Sequence, residues 1–418
     1  MLLEQYSLPN GLRVILNEDH AAPLVAINVW YHVGSKDEKQ GRTGFAHLFE
    51  HMLFSGSEHV GNNEHFRYVQ SVGGILNGST TFDRTNYYET LPSNHLALGL
   101  WLEADRMGFF LPAITQEKLD IQRDVVKEER RMRYENAPYG LALENLLRIA
   151  YPSDFPYHWP TIGSMDDLGA ATLEDVKDFF RTWYVPNNAV LTLVGDFDPA
   201  EARDLVEKYF GDIPAGPPVP RSETRPPVPA AEERSEIASP VQLPRVYRLY
   251  HLPRFGENDW IAGDLLAYAL SVGRASRLDR ALVYEKQIAQ EVGSFLLQSE
   301  ASGIMIAIAT ARENVDLATL EEAIDDEIER FVVHGLSDDE LRRASNQADT
   351  GYAHEIESFG SRADLLNTFA TFYGDASAIE PFLEAYAETG PEEVRAIAER
   401  YLRPDNRATL WVVPEGRA

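Results

Sequence analysis

One stretch of this sequence occurs twice, and the repetition limits what the chain can fold into. Thr172-Leu-Glu-Asp-Val176 through Tyr184-Val-Pro186-Asn-Asn188 to Val194 is matched, 218 residues later and without a gap, by Gly390-Pro-Glu-Glu-Val394 through Leu402-Arg-Pro404-Asp-Asn406 to Val412. Each copy reads as an amphipathic helix, a Pro-Asx-Asn turn and a β-rich run. Near the start of each half, Val29-Trp-Tyr-His32 is answered by Arg248-Leu-Tyr-His251. A match at both ends points to a duplicated domain rather than to chance. Between the copies lies Pro214–Arg234, PAGPPVPRSETRPPVPAAEER. Its prolines lack backbone donors and favour extended geometry, so it reads as a stiff linker. The expected domains are therefore 1–213 and 235–418, joined by 214–234.

Within the first copy, Gly11–Leu16 and Leu24–Tyr31 have the pattern of neighbouring strands, and helical periods follow around 43–55, 64–72, 93–107, 116–134 and 173–183. Strands grouped beside helices, without regular βαβ alternation, predict two tandem α+β domains, each an antiparallel-rich sheet packed with helices. Strand order cannot be read from the pattern.

Composition narrows the chemistry. Across 418 residues there is no cysteine, which excludes disulfides, thiolate metal ligands and a cysteine nucleophile. The formal charge of −28 argues against nucleic acid or an anionic membrane as partner, because phosphate would be repelled. No apolar run approaches the ~20 residues that span a bilayer, and no signal peptide is visible at the start. As written, the chain is expected in the cytoplasm, or in the periplasm if Met1 begins a processed fragment.

The most informative segment is Gly44-Phe-Ala-His47-Leu-Phe-Glu50-His51-Met-Leu-Phe54. Histidines at i and i+4 share one helical face and can hold one Zn²⁺ from the same side. A carboxylate between them can take a proton from water without being a ligand. Two surface histidines on an amphipathic helix are the alternative, but the flanking Ala46, Leu48, Phe49, Met52, Leu53 and Phe54 leave little polar surface. Catalytic zinc normally takes three protein ligands, so a third must come from elsewhere. Projected as a helix, Gln116–Tyr134 places Leu119, Ile121, Val125, Val126 and Met132 on one apolar face, with Glu129 near its middle and Glu128 to the side. A core-facing carboxylate needs a partner, either a metal or a buried salt bridge.

With Gly44-x-Ala46 before it and Met52-x-Phe54-x-Gly56 after it, His47-x-x-Glu50-His51 is the inverted zinc motif, and the chain resembles the pitrilysin/insulinase family of zinc peptidases. Gly73-Gly74-Ile-Leu-Asn77-Gly78-Ser79-Thr80 resembles the family's edge strand beside the metal, and Gln122–Arg131 resembles its third-ligand helix, the match falling on Glu129. The length is similar to that of the catalytic subunit of the mitochondrial processing peptidase. The resemblance implies one Zn²⁺ per chain on His47, His51 and Glu129, Glu50 as general base, and Asn77, Gly78, Ser79 and Thr80 pairing with a peptide or unfolded substrate as an added strand. It also implies two such units closing around a chamber.

Two departures qualify this. The positions 218 after His47, Glu50 and His51 hold Leu265, Tyr268 and Ala269, so the second copy lacks the ligands. Where self-sufficient relatives carry a substrate-gripping arginine and tyrosine, this chain has Val283 and Gln290; Arg280 and Tyr284 stand nearby. The expectation is a zinc endopeptidase subunit working with a second homologous subunit as a heterodimer, a homodimer being the other arrangement. The alternative function is a non-catalytic scaffold or peptide-binding subunit.

Overall fold

The computed structural model describes residues 1–416 other than Ser222, Glu223 and Arg225, so these three positions of the Pro-rich segment lie outside the described residues. The chain forms two compact units, one of Met1–Arg130, Trp159–Ser222 and Ala353–Ile379, the other of Arg131–His158, Glu223–Tyr352 and Glu380–Ala418. The change-over at 222/223 falls inside the Pro-rich segment. Two further segments belong to the unit of the opposite half.

In the first unit, β1 (Glu4–Ser7), β2 (Arg13–Glu18), β3 (Leu24–Tyr31), β4 (Ile75–Thr80), β5 (Thr85–Pro92) and β6 (Ala189–Gly195) form one sheet in the order β1-β2-β6-β3-β5-β4. Only the β2–β6 pairing is parallel. Both faces of β3 are buried, so its sequence reads as a nearly unbroken apolar run. The side chain of Tyr31 packs against the rings of Tyr184 and Tyr87, on the face that carries α1 (Phe45–Met52). The opposite face, with Ala26 and Trp30, meets a helix from far along the chain, Phe359–Phe372. Ile15, Ala26, Trp30, Val190 and Val194 share a core with its Ala363, Leu366 and Ala370, and with Ala376. Asp364 of that helix accepts hydrogen bonds from Trp30 Nε1 (2.8 Å) and Asn86 Nδ2 (2.7 Å), fixing its position on the sheet.

In the second unit, β7 (Glu233–Ser239), β8 (Arg245–Leu252), β9 (Ala289–Leu297), β10 (Gly303–Ala311) and β11 (Arg407–Pro414) lie in the order β7-β11-β8-β10-β9. This is the first sheet without its outer strand. β7–β11 is parallel, as β2–β6 is, and the other pairings are antiparallel. The duplication extends to single hydrogen bonds. Asn188 Nδ2 donates to the carbonyls of His32 (3.3 Å) and Trp183 (2.8 Å). Its counterpart Asn406 donates to those of His251 and Tyr401, both at 2.8 Å. In each unit the turn after the repeated helix is thereby tied to the end of the central strand.

Candidate metal centre

The site is built on α1. Gly44 opens that helix at φ 85°, a left-handed conformation, and a Cβ there would lie 2.7 Å from the Ile162 carbonyl, so only glycine fits. Phe45, Ala46, Leu48, Phe49 and Met52 are buried, and Phe49 stacks on Tyr184 with ring centroids 5.1 Å apart. This packing leaves His47 and His51 side by side, centroids 4.8 Å apart. Glu129, near the end of α2 (Gln116–Arg130), comes to meet them: its Oε2 is 3.7 Å from His47 Nε2 and 3.2 Å from His51 Nε2. One donor atom from each residue lies within 4.8 Å of the other two. Donors around a tetrahedral Zn²⁺ at ~2.0–2.1 Å would sit about 3.3 Å apart. The donor set and its spacing fit that ion.

Glu50 lies on the same helix and belongs to a second layer of contacts. Its Oε2 accepts a 2.6 Å hydrogen bond from Thr80 Oγ1. Burial raises its pKa, while Thr80, His51 and Arg84 oppose the rise. Gly78 lets the strand pass close by, because a Cβ there would sit 3.1 Å from Glu50 Cγ and from the Phe54 ring. β4 is the edge of its sheet. Thr81 N–H bonds the Arg84 carbonyl at 2.8 Å, and the register pairs Ser79 with Asn86 and Asn77 with Tyr88. In an antiparallel ladder the intervening residues point their peptide groups outward. Of the four edge-strand residues expected to meet substrate, Gly78 and Thr80 therefore present backbone to the free edge. Asn77 and Ser79 turn theirs toward β5. Gly78 N–H is held at 2.9 Å by Asn77 Oδ1.

Two family models match the chain: "Insulinase (Peptidase family M16)" over residues 13–156 and "Peptidase M16 inactive domain" over 170–348. The chain belongs to the insulinase family. A Helicobacter pylori protein named zinc protease PqqE is 28% identical over 419 residues, 98% of this chain and 93% of that one. A Bacillus subtilis protein, the uncharacterized zinc protease YmxG, is 24% identical over 99% of each chain. Among solved structures, a protease from Helicobacter pylori superposes with a TM-score of 0.93 at 27% identity, covering 99% of both chains.

This insulinase-family chain carries a second cluster of the same residue types. His65, Glu89 and Glu103 also bring three donor atoms within 4.8 Å. Their side chains are only 4%, 0% and 1% exposed, against 12%, 23% and 17% for His47, His51 and Glu129. A cation is already present there. Arg106 lies 2.9 Å from His65 Nδ1, bonds Glu103, and is sandwiched between the rings of Phe54 and Tyr87 at 4.7 and 4.3 Å. Burial raises the pKa of both Glu89 and Glu103 and lowers that of His65. The cluster is a buried polar core built around Arg106.

The helical projection of 116–134 holds only in part. Leu119 and Val126 are buried, whereas Ile121, Val125 and Met132 are exposed. Glu129 flanks the buried line Leu119–Val126–Arg130 instead of sitting mid-face, and Glu128 is exposed. The α-helix ends at Arg130 and Arg131–Glu135 is π-helical, so a period of 3.6 no longer places Met132. In the second unit, Arg280, Val283 and Tyr284 lie on a π-helical turn, Asp279–Glu285, and Gln290 is on β9. Arg280 pairs with Glu285 at 3.4 Å, and Tyr284 is half exposed. Leu265, Tyr268 and Ala269 stand on the buried helix Trp260–Ser271. Sequence reasoning missed the Thr80 hydroxyl as partner of Glu50; the two lie 30 residues apart, and no local spacing joins them.

Proposed function

We propose that this chain is a zinc-dependent endopeptidase subunit that hydrolyses peptides or unfolded polypeptides. The observation that carries the reading is the convergence of His47, His51 and Glu129 beside a half-buried Glu50 and a free strand edge. Bound by the two imidazoles and the carboxylate, zinc would acidify a water and polarise the scissile carbonyl. Glu50 takes the proton of the attacking water and passes it to the departing amine nitrogen, and its raised pKa suits a group that must both accept and release a proton. Thr80 Oγ1 orients the carboxylate for that exchange. An extended substrate adds to β4 through the outward peptide groups of Gly78 and Thr80, with Asn77 and Ser79 flanking them, so main chain is read ahead of side chains. The names of the zinc protease relatives support this assignment.

Val283 and Gln290 cannot grip substrate as an arginine and tyrosine would, so the working enzyme is a heterodimer whose second homologous subunit supplies that pair. The test is cleavage of a mixed pool of unstructured peptides by the zinc-loaded chain alone. No turnover with zinc bound is the expected result, with activity appearing on addition of the second subunit. Robust turnover by the chain alone would overturn the need for a partner and leave a monomer or homodimer. A peptide bound tightly and never cleaved, with or without the partner, would favour a peptide-binding subunit.

A further inference from the structure

Helix α1 starts without a capping side chain of its own, because its first position, Gly44, has no room for one. The first turn of a helix has backbone N–H groups with no partner inside the helix. Here a buried residue six positions upstream meets them: Glu38 Oε2 accepts from Gly44 N at 2.9 Å and Oε1 from Ala46 N at 2.8 Å. A serine or aspartate at the cap would satisfy the same groups at far lower desolvation cost. The longer route does something a local cap does not. It ties the peptide just before His47 to the segment that follows β3, Ser35–Glu38, which is itself held through the 3.0 Å bond from Trp159 Nε1 to the Ser35 carbonyl.

A second carboxylate grips the same turn from another side. Asp167 Oδ2 accepts from Thr43 N (3.0 Å) and Thr43 Oγ1 (2.6 Å), and Thr43 Oγ1 in turn accepts from Ser164 N (3.1 Å). The segment that carries Asp167, a short helix (Met165–Ala170) and the turn before it, also reaches the other ligand helix: Arg130, the residue after Glu129, donates to the Gly163 carbonyl at 2.8 Å. Gly163 lies so close to Gly44 that a Cβ on it would come within 2.4 Å of the Gly44 Cα. The start of the histidine helix and the end of the glutamate helix are thus braced against one segment, Gly163–Asp167.

We propose that Glu38, backed by Asp167, is the positioning residue of the metal centre: by holding the first turn of α1 it sets where His47 and His51 stand relative to Glu129. This rests on the reading of those three residues as metal ligands. The experiment is a Co²⁺ titration of the metal-free full chain, followed by visible absorption, with Zn²⁺ competition for affinity, on the unaltered protein, Glu38→Gln and Asp167→Asn. Glu38→Gln keeps the size and one acceptor but loses the second. It should weaken metal binding by about 10–100-fold, the size found for groups that orient ligands, and change the cobalt spectrum while thermal unfolding stays cooperative. Asp167→Asn should move both in the same direction by less. Unchanged affinity and spectrum in both variants would overturn the proposal. Should Glu38→Gln fail to fold, Asp167→Asn decides, since Asp167 is only half-buried: weaker binding supports the role and unchanged binding removes it. Failure of the unaltered chain to bind cobalt would instead remove the metal reading itself, and this inference with it.

Discussion

The two units share strand order, pairing sense and the asparagine that ties turn to strand, yet they differ in how a central group of acids is held. In the first, several buried or half-buried carboxyls have raised pKa values: Asp37 is pushed up to about 6 by burial, and Glu38, Glu50, Glu89 and Glu103 move the same way. In the second, burial pushes Asp264 up to about 6 as well, but another group of acids is neutralised by arginines. Arg248, fully buried on β8, bonds Glu321 and Asp325; Arg234 also bonds Glu321, and Arg407 bonds Asp325. Burial works against ionisation of Glu321, but the two arginines outweigh it and bring the carboxyl down to about 2. The helix that takes α1's place in the second unit is buried along most of its length, with Leu265 where the first copy has His47. A common scaffold does not carry chemistry with it. The second copy keeps a buried acid on that helix, Asp264, but not the two histidines and the glutamate that converge in the first.

Four changes would sharpen or break that contrast. Glu50→Gln should keep metal and fold while peptide cleavage by the complete enzyme falls by ~10²–10⁴, the effect of removing a general base; near-normal turnover would dismiss its role. Glu129→Ala should release the metal and Glu128→Ala should not, as read by metal content after dialysis. In the second unit, Arg248→Met leaves Glu321 and Asp325 short of a partner, and urea unfolding should show a loss of about 3 kcal/mol with the metal affinity of the first unit unchanged. Arg234 and Arg407 keep the loss near the low end of the range for broken buried pairs.

The smallest effect is one of pH. Glu321 and Glu340 both have folded-state values lowered to about 2 from an ordinary 4.5; in each, burial is outweighed by arginine, Arg277 in the case of Glu340. Their contribution to stability is therefore present above pH 4.5 and lost as pH falls through 2. Thermal unfolding compared at pH 5 and pH 2.5 should show a lower midpoint at pH 2.5, and Glu321→Gln should shrink the difference. A Glu321→Gln protein with the full drop would place the acid sensitivity elsewhere.

What could be read from the residues depended on distance along the chain. The inverted motif is visible because His47, Glu50 and His51 fall within one helical turn and a half, and β3 and β6 because their apolar runs are continuous. The duplication gave away the matching ends of the two units. Glu129 was reachable, although the geometry used to reach it was partly wrong: Ile121 and Val125 look like core and lie in solvent. The braces by Glu38, Thr80 and Asp167 cross 6, 30 and 124 residues, and no periodicity encodes such contacts. Strand order stayed hidden for the same reason. Nor does the pattern of Phe359–Phe372 say which sheet it covers, since it is apolar on several sides.

That helix has a consequence for how the protein is made. The core of the first unit is unfinished until Ala363, Leu366, Ala370 and Ala376 arrive, long after the last strand of its sheet has been made. A nascent chain that has emerged only through the Pro-rich segment exposes one face of its first sheet, Trp30 and Val194 included. Cutting the gene there should yield fragments that aggregate singly and regain structure only when expressed together. The half that carries the candidate metal centre is made before the other, yet it is completed by a helix from that other half.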